Sequence, residues 1–392
     1  MYNSTSLLLT LSDPSGDPRP KRAFALLCDL GFKVDIVSFD IKGDLKANRA
    51  FTIQQYSGPR VFIIIRKVVL AFFLLLSRFF PFSFLKEQLV AYWYRLSPIV
   101  DVLERHEYRL ILVEDLFFLP LVMKFKRGAK VVFDAREYYP RQREDSIVFR
   151  AIEKPIRTYL CKKYLKNCDL FITVSDGLAD EYLKEFGVAA QVIRSTPAAV
   201  EALIGETIPN QIRLVHHGVA NKNRKLENMI QLVALLDERF TLDLYLQGDQ
   251  AYITELKVKY GHQPRVQIKK PVLFHEIIPM LRKYDVGIFY VEPTTFNLTH
   301  CLPNKLFEYI QARLVVAIGP SPDMQKIVKE YDCGVVAEKF DLASMADSLN
   351  KLSFAQIETY KRNSDKAAHR LNWEEEGKYF QTLIHETCGL QD

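Results

Sequence analysis

The 392-residue chain has six cysteines, at 28, 161, 168, 301, 333 and 388, and none form a CxxC pair. Its eight histidines contain no HExxH. These absences exclude a small disulfide scaffold and disfavour a structural zinc site or a zinc protease. GxxxxGK[ST] and GxGxxG are missing too, which disfavours a P-loop enzyme and a nicotinamide dinucleotide enzyme. No Asp-x-Asp pair is present, so no divalent cation is expected. Zinc-finger spacing, an RNP-like strand and a long basic run are lacking, so nucleic acid is not the expected partner. The first ten residues lack the basic start and apolar stretch of a secretory signal. With sparse cysteine, this points to a reducing cytoplasm.

What is present belongs to a folded chain: 48% hydrophobic, 12% aromatic and 26% charged residues. The length suggests two domains. The net charge of +6 is uneven. Residues 1–200 carry 30 Lys and Arg against 22 Asp and Glu, and residues 201–392 carry 23 against 25. The two halves are either ordinary solvated surfaces, or the first faces something anionic such as a membrane or a phosphorylated acceptor.

The stretch 61–85, VFIIIRKVVLAFFLLLSRFFPFSFL, is apolar but interrupted by Arg66, Lys67, Arg78 and Pro81. Its longest uncharged run, 68–77, has 10 residues, against about 20 for a bilayer span. Clustered Phe72, Phe73, Phe79, Phe80, Phe82 and Phe84 beside Arg66, Lys67, Arg78 and Lys86 suit a helix lying in a membrane interface. A core helix with snorkelling basic ends is the alternative.

Short apolar runs alternate with helical patterns. Strands are expected at 6–11, 33–39, 110–113, 130–133, 170–174 and 190–193. After a Pro- and Gly-bearing break at 198–211 come strands at 212–216, 242–247, 266–268, 286–290 and 315–318. Helices are expected at 19–30, 224–238, 274–284, 306–312, 323–331 and 341–351. This is the signature of βα units around mostly parallel sheets. Two doubly wound α/β domains facing a central cleft would put a ligand at the carboxyl ends of both sheets.

Four segments carry chemistry. In LPNKLFEY (302–309), Pro303 suits a first helical turn, whose free N–H groups form an anion site strengthened by Lys305. Glu308, just over one turn beyond Asn304, can accept two hydrogen bonds from vicinal hydroxyls such as a ribose offers. A capped helix with a surface Glu is the bland reading. In HHGVANKNRK (216–225), Gly218 permits close backbone approach. Arg224 and Lys225 open the next helix, where cations oppose the dipole; neutralising a diphosphate would account for them. A solvated basic loop is the alternative. SDPSGDPRPKR (12–22) follows the first strand, with Ser15-Gly16 in a tight turn. VFDAREYYP (132–140) ends another strand, where Asp134, Arg136 and Glu137 would point into the cleft or form a salt-bridged loop.

These segments, in this order, resemble the GT-B glycosyltransferases of the retaining family GT4 over nearly the whole chain. VFDAREYYP resembles its YDAHELYP, and CDLFITVSDGLA (168–179) its ADxxITVSxxLA. VIRSTP resembles the VIxNxP before its linker. LPNKLFEY resembles its PNKxFEY donor loop most closely, and Gly334 fits the glycine that follows. The resemblance implies an N-terminal Rossmann-like acceptor-side domain at 1–205, with a C-terminal helix, 377–390, packing back on it. A nucleotide-sugar domain is implied at 211–375. It implies Lys305 and Arg224 on the donor phosphates and Glu308 on the ribose. Asn304, Gly218 and Lys225 would lie along the diphosphate, the base near 270–273 beside Lys270, and Gly16 against the donor from the first domain.

There are two departures. His300 stands where the family has the first of two glutamates with seven residues between them, and Arg136 stands where it has a histidine near the donor sugar. Arg136 is therefore both a catalytic candidate, with Lys305 and Arg224, and a substrate candidate, with Asp134, Glu137 and His300. The family implies a metal-independent transferase. It would move a sugar from a nucleotide diphosphate, UDP most commonly and GDP next, to a hydroxyl of a lipid-linked or surface glycan. The setting would be the inner face of the plasma membrane, bound peripherally to anionic lipid. A GT-B sugar-nucleotide epimerase or hydrolase, or a degenerate transferase serving as a scaffold, is the alternative.

Overall fold

A computed structural model describes residues 5–39, 41–43, 45–53, 61, 68–69, 71–73, 75–76 and 83–390. The chain divides into two compact units. One holds the residues up to 193 with Thr295–Asn297 and the C-terminal stretch from Gly377; the other holds Arg194–Thr294 and Leu298–Glu376.

The first unit carries β1 (Thr5–Leu9), β2 (Lys33–Ser38), β3 (Arg49–Thr52), β4 (Leu110–Val113), β5 (Lys130–Ala135), β6 (Leu170–Thr173) and β7 (Gln191–Val192). Their order in the sheet is β3-β2-β1-β4-β5-β6-β7, and every pairing is parallel. The second unit carries β8 (Ile212–Ala220), β9 (Phe240–Gly248), β10 (Val266–Lys269), β11 (Val286–Phe289), β12 (Val315–Ile318) and β13 (Gly334–Val336). Their order is β10-β9-β8-β11-β12-β13, again all parallel. Strand order reverses between β1 and β4, and between β8 and β11. In a doubly wound sheet such a switch point opens a crevice at the carboxyl ends of the strands.

The apolar runs are explained by burial on both sheet faces. In the second unit alternate residues of one strand enter different cores. Leu214, Val315 and Ala317 join Ile230, Leu242 and Leu244 on one side. Val215, Val316 and Ile318 join Leu306, Phe307 and Ile327 on the other. The period of two along a strand requires this division.

Several boundaries differ from the sequence expectation. β3 escaped notice because it is a four-residue edge strand, RAFT, with no fully buried residue. β8 runs nine residues instead of five, so His217 and Gly218 lie on the strand and not in a loop. The helix expected from 224 begins only at Glu227. Arg224 ends a 3₁₀ turn and Lys225 adopts a left-handed conformation, φ 45°. Residues 194–205 group with the second unit. There Arg194 donates to Glu376 through its backbone N at 2.7 Å and Nη1 at 3.1 Å. Ala199 N donates to Glu374 at 2.7 Å, and Val200 N to Gln311 at 3.1 Å. The helix over 377–388 counts with the first unit, where Arg109 Nη2 donates to Cys388 O at 2.9 Å.

Among the described residues no helix is long and apolar enough to cross a membrane. Arg66, Lys67, Arg78, Phe79, Phe80, Pro81 and Phe82 lie outside the described residues, as does the Phe84 side chain. Val68, Val69, Phe72, Phe73 and Leu75 are helical and exposed.

Candidate functional site

In the second unit the helix Asn304–Gln311 begins after Pro303, whose extended backbone (ψ 149°) turns the chain into the first turn. No side chain caps this end. Its first N–H groups and the positive end of the helix dipole therefore remain for an anion. Asn304 and Lys305, both partly buried, are the first two helical residues. Lys305 packs its stem against β8: a Cβ on Gly218 would fall 2.5 Å from Lys305 Cε and 2.6 Å from Nζ. Gly218 also has φ +133°, which L side chains rarely adopt. Strand and lysine thus specify one another.

Arg224 sits close enough to repel Lys305. Loss of water, with that neighbouring guanidinium, pushes the Lys305 ammonium down to about 8. Loss of water lowers Arg224 as well. Among the described residues neither cation has an ion-pair partner, though Arg224 Nη1 donates to Val219 O at 3.3 Å. Two desolvated cations side by side are unfavourable unless an anion joins them. His216 lies fully buried within their field, held neutral by burial and by Lys305. Its Nδ1–H donates to Ile288 O at 2.9 Å, which fixes the tautomer. Nε2 is left as a buried lone pair with no hydrogen-bond partner among the described residues.

Glu308, on the same helix, is buried, with Oε2 3.0 Å from His217 Nε2. The sequence placed that carboxylate at the surface in its bland reading, and the structure puts it inside. Lys225 turns to Glu292 at 3.3 Å and is exposed, and Lys270 is exposed just past β10. His300 Nδ1 lies 2.7 Å from Asp323 Oδ2. The structure thus gathers Gly218, Arg224, Asn304, Lys305 and Glu308, and gives Lys225 and His300 carboxylate partners of their own.

In the first unit the loop residues lie at the carboxyl ends of β1, β4 and β5. Gly16 is exposed, its N–H on Asp13 O at 3.2 Å. Asp134 does not point to a ligand. It is 1% exposed and both oxygens are held by Arg19, at 2.6 and 2.8 Å. This buried pair, from residues 115 apart, is structural, and Asp134 leaves the set of substrate contacts. Arg136 donates to Asp17 at 2.6 Å and faces Glu114 at 3.9 Å. Glu114, Asp115 and Asp17 hold its guanidinium charged against burial. That charge is met inside the unit. Glu137 is partly buried, and loss of water raises its pKa.

Sequence reasoning missed Glu114. It lies at the carboxyl end of β4, fully buried, with neither oxygen hydrogen-bonded among the described residues. Burial pushes its pKa up to about 8. The available signal was local, since Glu114 and Asp115 directly follow the apolar LILV strand. His217 was missed as well, because its contact with Glu308 spans 91 residues. Among the described residues no group of His, Cys, Asp or Glu is arranged to hold a metal ion.

Residues 25–202, less than half of the chain, match the model of Glycosyltransferase Family 4. Solved structures share the fold over almost the full length. HepE from Anabaena, in complex with UDP-glucose, is 14% identical with a TM-score of 0.67, covering 99% of this chain and 100% of its own. TarM from S. aureus, as a mutant in complex with Fondaparinux, alpha-GlcNAc-glycerol and UDP, is 9% identical with a TM-score of 0.67, covering 97% and 99%. WaaG, a glycosyltransferase involved in lipopolysaccharide biosynthesis, is 12% identical with a TM-score of 0.67, covering 97% and 99%. No curated protein matches the chain by sequence. The two parallel sheets and the Family 4 match bear out the GT-B fold and the glycosyltransferase resemblance. The chain is a glycosyltransferase of GT-B fold.

Proposed function

We propose that this glycosyltransferase moves a sugar from a nucleotide diphosphate to a hydroxyl of a lipid-linked or surface glycan, with retention of configuration and without a divalent cation. The observation that carries the reading is the anion site of the second unit. Uncapped helix N–H groups, Lys305 and Arg224 converge beside a glycine that leaves backbone accessible, with buried Glu308 one turn further on. Charge grows on the departing diphosphate as the glycosidic bond breaks. Two preorganised cations and a helix N-terminus stabilise that charge more in the transition state than in the ground state. Lys305 and Arg224 supply the charge a metal supplies elsewhere. A front-face attack of the acceptor hydroxyl needs no protein nucleophile. UDP is the first expectation for the nucleotide, in keeping with the UDP complexes of HepE and TarM, and GDP the second.

The test is turnover with nucleotide sugars in excess EDTA, with the anomeric configuration of the product read by NMR. Retained activity and configuration support the reading; loss in EDTA restored by magnesium, or inversion, overturns it. Glu308→Gln should weaken nucleotide affinity at least tenfold, since hydrogen bonds to a charged acceptor contribute roughly 1.5–3 kcal/mol. Nucleotide release with no acceptor present would instead favour a hydrolase or epimerase.

The location proposed is the cytoplasmic face of the plasma membrane, held through the 61–85 segment. The exposed Val68, Val69, Phe72, Phe73 and Leu75 support it. Salt-sensitive sedimentation with anionic liposomes should drop when Arg66, Lys67 and Arg78 become Gln. Indifference of the wild type to liposomes at low salt refutes the attachment.

A further inference from the structure

The carboxylate of Glu308 and the imidazole of His217 form a closed pair. Glu308 Oε2 and His217 Nε2 are 3.0 Å apart. Both atoms are sealed from solvent, and neither has an aligned hydrogen-bond partner among the described residues. The side chains retain 9% and 7% exposure, so what reaches solvent lies on their other atoms. The pair rests on a hard backing: the Tyr309 ring stands edge-on to His217, with centroids 5.8 Å apart, and Tyr309 is fully buried.

A carboxylate accepts and cannot donate, so a hydrogen bond between the two needs the proton on His217 Nε2; the neighbouring His216 bears its hydrogen at Nδ1. Successive residues of one strand point to opposite faces, which lets β8 direct one imidazole at the cation pair and the next at the carboxylate. A buried carboxylate without a donor is costly, and His217 is the donor within reach. With Oε2 facing the imidazole at 3.0 Å, Oε1 remains for a ligand.

We infer that His217 is a positioning residue for nucleotide recognition: it holds Glu308 so that one oxygen faces the ribose hydroxyls and Lys305 stays available to the diphosphate. This rests on the nucleotide-sugar reading given above, and it separates the two halves of the donor. Ribose discrimination runs through His217 and Glu308, and phosphate binding through Lys305, Arg224 and the helix N-terminus.

The experiment measures calorimetric affinity of the full chain for UDP, 2′-deoxy-UDP, 3′-deoxy-UDP and inorganic pyrophosphate, with GDP and its deoxy forms if UDP does not bind. The variants are His217→Leu and His217→Gln. The wild type should lose about tenfold on removal of a ribose hydroxyl, the scale of a hydrogen bond to a charged group. His217→Leu should bind the intact nucleotide about tenfold more weakly and lose most of the deoxy penalty, with pyrophosphate affinity unchanged. His217→Gln, which keeps a donor on the side chain, should recover part of the penalty. A full deoxy penalty in His217→Leu overturns the positioning role. So does an equal loss for pyrophosphate, which marks a general structural effect. Failure of the wild type to bind either nucleotide overturns the functional reading itself, and this inference with it.

Discussion

With Lys305 on the donor diphosphate, as proposed, donor binding depends on pH in a way that can be worked out in advance. Its ordinary pKa of 10.5 falls to about 8, first through loss of water and then through Arg224. In the unliganded protein the ammonium is therefore largely intact at pH 7 and about nine-tenths lost at pH 9. A bound diphosphate places negative charge beside both cations and returns the lysine toward its ordinary value. Its own second ionisation, near pH 6, is complete in this range. Above pH 8 each binding event must then take up a proton, and each pH unit costs about 1.4 kcal/mol. UDP affinity should fall about tenfold between pH 7 and pH 9, with close to one proton absorbed per nucleotide at pH 9. Calorimetry in buffers of different ionisation enthalpy measures both quantities. Lys305→Met should bind more weakly at pH 7 and lose the pH dependence. It should also unfold at higher temperature at pH 7. The depressed pKa marks a desolvated ammonium whose cost, up to about 3 kcal/mol, is present below pH 8 and fades as pH rises toward 10.5. Affinity that stays level from pH 7 to 9.5 without proton uptake refutes the reasoning.

Two further perturbations are expected to separate stability from binding. Glu114, raised from 4.5 to about 8 by burial, binds a proton more tightly folded than unfolded, so its stabilising contribution is complete below pH 4.5 and is lost as pH climbs through 8. Glu114→Gln should accordingly match the wild type in thermal unfolding at pH 5 and exceed it at pH 9; parallel melting curves across that range count against a protonated Glu114. Gly218→Ala places a methyl within 2.5 Å of Lys305 Cε at φ +133°. It should lower stability by about 1–3 kcal/mol and displace Lys305, cutting pyrophosphate affinity; an unchanged pyrophosphate titration would show that the packing of Lys305 on Gly218 is dispensable.

What could be read from the sequence was what is local along the chain. LPNKLFEY carries its own helix start, cation and carboxylate within eight residues, so this candidate cluster was legible. The alternating strand and helix pattern gave both sheets because parallel strands buried on two faces leave continuous apolar runs such as LILV and VVAI. What escaped depends on contacts between distant residues. Asp134 looked available at a strand end because nothing nearby reveals Arg19, 115 residues earlier. The surface alternative for Glu308 stayed open because His217, 91 residues earlier, gives no local sign of its contact. Gly334, matched to a donor-loop glycine, proves tightly packed in its sheet: a Cβ there would fall 1.9 Å from Val316 O. Lys225 shows how propensity misleads. Its left-handed φ of 45° separates a 3₁₀ turn from the helix that the apolar spacing suggested would be continuous.

The distribution of paired and unpaired charge distinguishes scaffold from site. At the strand ends of the first unit Arg19 is neutralised by Asp134 and Arg136 by Asp17. In the second unit Arg213 and Lys361 share Asp285 in the same manner. Against that rule stand Lys305 and Arg224, neighbours of like sign, both desolvated, with no carboxylate within ion-pair distance among the described residues. The nearest candidate, Glu308, is turned to His217 instead. Two neighbouring, partly desolvated cations without a counter-charge carry a cost in the empty state that a bound anion would relieve. Under the proposed reading, that relief falls where a diphosphate is held and released, as a transferase requires of its donor site.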